Sequence, residues 1–176
     1  MIVALEDLTS LPEFRGIPEK TLERKLKAIE QLIRDYTNNN FQNRNIRFQG
    51  ESLGDRIFGS SPFILNGDTV QISKSKVNDG LFTITEVSPE GWIRLDRNLF
   101  DVPDNLVTKI EYPAVVQQGV IDLMTWEQQN RQRIGVKSET LSRHSVTYFD
   151  QDKTNQLMGY PVSLMGFLDP YRKPRF

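Results

Sequence analysis

GDTVQISKSKVNDGLFTITEV, residues 67–87, decides the fold. Its apolar positions recur with a period of two, as on a strand with one face buried. Asn78-Asp79-Gly80 between the two runs is turn chemistry, with glycine free to take a positive φ. The stretch predicts two short strands, DTVQIS from Asp68 and LFTITEV from Leu81. The same period continues on both sides, in IRF from Ile46, FIL from Phe63, GWIRL from Gly91 and LVTKI from Leu106. Asn66-Gly67-Asp68 and Ser88-Pro89-Glu90-Gly91 separate these runs. About six strands so spaced predict a small barrel or sandwich over residues 45–110.

The flanks switch to helical periodicity. From Pro18 to Thr37, Leu22, Leu26, Ile29, Ile33 and Tyr36 share one face, widened by Leu32. Glu23, Lys27, Glu30 and Arg34 take the opposite face, and Asn38 to Asn40 end the helix. The stripe is too short for a coiled-coil seam and reads as core packing. A second helix is predicted from Pro113 to Arg133, with Val116, Val120, Leu123 and Met124 as its stripe and Gly135 past its end. Gly119 suits the close approach of another helix, and the first helix is the expected neighbour. Trp126 reads as a core-edge residue or an intersubunit anchor. Beyond it, Val136 to Phe149 reads as an extended arm, followed by a short helix from Pro161 to Leu168 that Pro170 stops.

The expected fold class is therefore α+β. A helical domain of two long helices and a short C-terminal helix, residues 1–44 and 111–176, carries an inserted small β-barrel or sandwich, residues 45–110.

Composition excludes several chemistries. The 176 residues hold no cysteine, and His144 is the sole histidine, so disulfides, thiol nucleophiles and multi-histidine metal sites are ruled out. Lys plus Arg number 22 against 23 for Asp plus Glu, which argues against coating nucleic acid by bulk charge. MIVALEDLTS lacks a basic start and an apolar run, and no stretch nears the ~18 residues of a membrane span. A soluble protein made in the cytoplasm, with no membrane partner, is expected.

No phosphate-loop, dinucleotide, zinc-protease or nucleophile-elbow motif occurs. Ser142 and Ser145 flank His144, but strand neighbours point to opposite faces. Asp68, Asp79 and Glu86 are too scattered for a calcium loop, and Asp79 is more simply a turn residue. No catalytic residue, metal site or cofactor is expected. Arg131, Arg133 and Lys137 complement the second helix's dipole or else meet a phosphate or an acidic neighbour.

Four segments carry a family resemblance: LEDLTSL followed by LKAIEQLIRDYTNNNF (residues 26–41, with an IxxYT-like helix end); the helix and arm of residues 115–150, with GxKSExxxxxSVTY from Gly135 to Tyr148; the ending YPxxxxxxLxPYRxxRF from Tyr160 to Phe176; and the β stretch of residues 67–87. Together these cover most of the chain, which resembles the head–tail connector (adaptor) proteins of long-tailed bacteriophages. Compact members lack the β unit.

The resemblance implies a virion structural protein of the neck, in a twelve-fold ring below the portal. Its partners would be the portal protein and the next connector or tail-completion protein, with genomic DNA passing through the channel without sequence-specific binding. It makes Phe167, Leu168, Tyr171, Arg172, Lys173, Arg175 and Phe176 candidates for docking on the portal or an adjacent subunit. Trp126, Arg131, Arg133, Lys137, Arg143 and Tyr148 are further inter-subunit candidates. The alternative from the residues alone is a nucleic-acid-binding barrel. It would stack bases on Phe82, Trp92 and Phe100, although the stretch from Gly67 to Glu90 has only Lys74 and Lys76 as basic residues and these aromatics read more simply as barrel core.

Overall fold

The computed structural model describes residues 1–130, 138–141, 144–147, 156–157 and 159–174. The chain divides into two compact units. One comprises Asn39–Tyr112 with Met1, and the other Ile2–Asn38 with Pro113–Phe176. The class is α+β.

The first unit is a closed antiparallel barrel of six strands: β1 (Gln42–Leu53), β2 (Arg56–Phe58), β3 (Thr69–Ser73), β4 (Gly80–Val87), β5 (Trp92–Leu95) and β6 (Val102–Ile110). Their order around the barrel is β1-β2-β5-β4-β3-β6, and β6 pairs with β1 to close it. Closure leaves no edge with unpaired backbone groups. Alternate side chains fill the interior: Ile57, Val70, Ile72, Phe82, Ile84, Ile93, Leu95 and Val107, with Ile64 added from a loop. Each fully buried aliphatic side chain stabilises the unit by about 1.5–3 kcal/mol before entropy is subtracted. At the base, the rings of Phe41 and Tyr112 meet at 4.8 Å and the Glu111 amide donates to the Phe41 carbonyl.

One strand expectation is corrected, and one strand escaped the sequence reading. FIL at Phe63 is not a strand. The Asp68 carboxylate accepts from the Leu65 amide, and Lys109 Nζ donates to the Phe63 carbonyl at 2.9 Å. These bonds curl the loop so that only Ile64 points inward. The sixth strand is instead Arg56–Phe58, three residues between Gly54 and Gly59. Gly50 lets it approach, since a Cβ there would lie 2.8 Å from Ile57 Cγ2 and closer still to the Phe58 carbonyl oxygen.

The second unit begins with α1 (Leu5–Thr9) and a 3-10 turn (Pro12–Phe14), then α2 (Glu19–Thr37). After the barrel come α3 (Ala114–Asn130), the antiparallel pair β7 (Ser138–Leu141) and β8 (His144–Thr147), and the short pair β9 (Gln156–Leu157) and β10 (Tyr160–Pro161). A single α-helical turn, α4 (Val162–Met165), continues as a 3-10 segment, Gly166–Tyr171. The two main helices, of 19 and 17 residues, are of ordinary globular length rather than long. The C-terminal helix expected to Leu168 tightens after one turn, in the segment that contains the helix-breaking Pro170.

In α2 the stripe Leu22, Leu26, Ile29 and Ile33 is buried. Glu30, expected on the outer face, is also buried and pairs with Arg34 Nη1 at 2.8 Å. Asn38 ends the helix in the left-handed conformation, φ 48°, with its amide returned to the Arg34 carbonyl.

Candidate interaction surfaces

The C-terminal segment lies across the end of α2. The Lys173 amide donates to the Thr37 carbonyl at 2.8 Å, and Asn38 Nδ2 donates to the Pro174 carbonyl at 2.9 Å. The Tyr36 hydroxyl reaches Asp169 Oδ1 at 3.3 Å, and the Arg172 guanidinium stands 5.0 Å from the centre of the Tyr36 ring. A helix leaves its last carbonyls without partners, and its C-terminus carries partial negative charge. The tail supplies both needs, with a backbone donor at Thr37 and a cation above Tyr36. Arg172 and Lys173 remain exposed, and Tyr171 is half-buried.

Two docking candidates are spent inside the protomer. Leu168 is fully buried. Phe167 rests on Gly119 of α3, where a Cβ would meet its Cε2 and Cε1 atoms at 2.5 and 2.6 Å. The close approach that Gly119 permits is therefore an aromatic ring and not α2. Trp126 is half-buried, tilted against Tyr160 with ring centres 5.9 Å apart. Beside it, Glu127 accepts from the Tyr160 hydroxyl at 3.2 Å and pairs with Lys25 of α2 at 3.1 Å. Burial, reinforced by the Glu127 charge, pushes the Tyr160 hydroxyl's pKa well above the usual tyrosine range.

In the barrel, the β3–β4 and β5–β6 connections meet β1 and β6 around a buried polar network. Asn78 Nδ2 donates to the Phe100 carbonyl at 2.8 Å and to Asn105 Oδ1 at 3.1 Å. Asn78 Oδ1 accepts from the Phe100 amide at 2.9 Å. Ser52 Oγ donates to the Phe100 carbonyl at 2.7 Å, and Asn105 Nδ2 to the Gly50 carbonyl at 3.1 Å. Sequence reading took Asn78 only as a turn residue and passed over Ser52 and Asn105. The signal was weak, because polar residues near turns are common and only burial separates these three.

The acids considered for a cation each have another duty. Asp79 accepts from the Ser75 and Lys76 amides, Asp68 pairs with Lys109 at 2.7 Å, and Glu86 pairs with Arg94. Among the described residues no group of three histidines or acids is placed to hold a metal ion. No described helix is long and apolar enough to cross a membrane.

The three aromatic residues weighed for base stacking, and expected rather as barrel core, differ in placement. Phe82 is core. Trp92 is covered by the Arg56 guanidinium at 4.4 Å and flanked by that of Arg94 at 5.5 Å. Only Phe100 is open, at 70% exposure. Arg131, Arg133, Lys137, Arg143, Tyr148, Arg175 and Phe176 lie outside the described residues, as do Ser142 and the side chain of His144. No family model matches the chain, and no curated protein matches it.

Proposed function

We propose that the chain is a structural, non-enzymatic subunit of a bacteriophage head–tail connector ring. Its helical unit is the connector domain and its barrel an added module. The observation that carries this reading is the meeting of two resemblance-bearing segments far apart in sequence. The IxxYT helix end, Ile33 to Thr37, receives the segment that holds the PYR motif, Pro170 to Arg172, through Tyr36 and Thr37. Two motifs that form one contact support a shared architecture more strongly than either alone.

The division of labour in the tail follows from exposure. Phe167 and Leu168 anchor the segment to its own protomer, which presents Tyr171, Arg172 and Lys173 to a portal or neighbouring subunit. Arginine and aromatic side chains are the types that dominate interface energies. Pre-ordering the segment on α2 reduces the entropy cost of docking. Copies arranged head-to-tail would close into a twelve-fold ring around the genome's channel, with the next connector or tail-completion protein below.

The test is co-purification of the tagged chain with a portal protein, with and without residues 171–176. Capture that is lost on truncation, with helical content unchanged, supports the proposal. Absence of capture by the intact chain overturns it.

A further inference from the structure

Asn66, in the connection from β2 to β3, is the only asparagine of the chain that a glycine follows. It is exposed. A main-chain nitrogen that follows asparagine can close a ring on the side-chain amide, and glycine, which has no Cβ, hinders that attack least. Asparagine is thermolabile for this reason, and Asn66-Gly67 is the pair in this chain best suited to the reaction.

The fold commits the attacking nitrogen to another bond. The Gly67 amide donates to the Ile84 carbonyl of β4 at 2.8 Å, and the Ile84 amide donates back to the Asp68 carbonyl at 2.9 Å. The Ile84 side chain is core, so these bonds tie residues 67 and 68 to the barrel wall. Gly67 takes φ 85°, as the third residue of a type II turn does, and the Asp68 amide closes that turn on the Leu65 carbonyl at 3.1 Å. The Asp68 carboxylate accepts from the Leu65 amide at 2.8 Å and pairs with Lys109. Lys109 Nζ also donates to the Phe63 carbonyl. The turn is thus pinned on both sides of an exposed, reactive side chain.

We propose that Asn66 is a site of spontaneous deamidation, silent while Gly67 is bonded to Ile84 and active when β4 releases the loop. In the open loop the Gly67 nitrogen gives its proton to solvent and bonds to Asn66 Cγ. The Cγ–Nδ2 bond breaks, and Nδ2 leaves as ammonia with a proton from solvent. Water then opens the succinimide. Cleavage of the bond from Cγ to the ring nitrogen gives aspartate, and cleavage of the bond from the main-chain carbonyl carbon to that nitrogen gives isoaspartate. Water is the only co-reactant. Isoaspartate lengthens the Leu65–Asp68 turn by one backbone carbon. Either product sets a new carboxylate next to Asp68, the partner of Lys109. The site goes beyond the connector reading and does not depend on it, because it rests on the barrel alone.

The experiment incubates the full-length chain at mildly alkaline pH, folded and in urea. Peptide mapping by mass spectrometry separates asparagine, aspartate and isoaspartate at residue 66. In urea, Asn66 should convert ahead of every other asparagine. In the folded chain its conversion should be slower by about tenfold or more, since the rate follows the population of the open loop. The Gly67 amide should be protected from deuterium exchange by a similar factor, because one opening admits both reactions. Asp68→Ala removes the carboxylate's ties to Leu65 and Lys109. It should speed conversion in the folded chain with the circular dichroism spectrum unchanged. Lys109→Met makes the same test should Asp68→Ala unfold. Equal rates in the folded and unfolded chains overturn the proposal. So does an unfolded chain in which Asn66 is no faster than the other asparagines, or a folded rate that neither variant raises.

Discussion

The ring of Phe167 fills the space that a Cβ on Gly119 would need, with Cε2 and Cε1 at 2.5 and 2.6 Å from that position. This contact seats the 3-10 segment on α3 and so fixes where the C-terminal tail begins. Gly119→Ala should destabilise the protein by about 1–3 kcal/mol through overpacking. That outcome runs against the ~1 kcal/mol by which alanine exceeds glycine in helix propensity. Thermal denaturation of Gly119→Ala, Phe167→Leu and the double variant checks it. The double variant should be more stable than the sum of the single effects implies.

The tail's bonds to α2 predict a local signature. The Lys173 amide, bonded to the Thr37 carbonyl, should exchange with deuterium more slowly than an exposed terminal amide. Removing residues 171–176 should lower stability by about 1–2 kcal/mol, the scale of a lost cap and cation, and leave the fold intact. Exchange measured on the intact chain and melting of the truncated one test both statements.

The polar network at the barrel end should be costly to break. Asn78→Ala leaves the Phe100 amide without its acceptor and takes one donor from the Phe100 carbonyl and one from the buried Asn105 Oδ1. It should cost about 1–3 kcal/mol for each group left unsatisfied. Asn78→Asp keeps the acceptor but loses the donor, and should also destabilise. Urea denaturation followed by Trp92 fluorescence gives the comparison.

Tyr160 predicts a pH dependence. Its pKa in the folded state is raised by burial and by Glu127, so the unfolded chain loses this proton first as pH rises. Above about pH 10, the ordinary tyrosine value, the folded state binds more protons and stability falls with increasing pH. The contribution is fully present below that value. Tyr160→Phe should flatten this alkaline limb. Denaturation midpoints at pH 8 to 11 test the sign, and a limb unchanged in the variant would contradict it.

Much of the fold could be read directly from the sequence, because period and turn chemistry are local. Leu22, Leu26, Ile29 and Ile33 are buried as their spacing implies, and Asn38 breaks α2 in the left-handed conformation. The strands around Val70, Phe82, Ile93 and Val107 alternate inward as expected. The errors came where a long-range partner overrides the local pattern. FIL reads as a strand until Lys109 and Asp68 curl it, and β2 is too short to show a period. Glu30 looks like a surface acid until Arg34 accompanies it into the interior. The tail's composition signalled a docking segment, yet its first receiver is α2 of the same chain. The contact from Lys173 to Thr37 spans most of the sequence and leaves no mark in either segment alone.

Electron microscopy of the full-length chain mixed with a portal protein tests the connector reading most directly. Class averages should show the portal extended on one side by a ring of twelve-fold symmetry, and that added density should disappear when residues 171–176 are removed. Portal particles identical with and without the chain, beside free monomers, would contradict it.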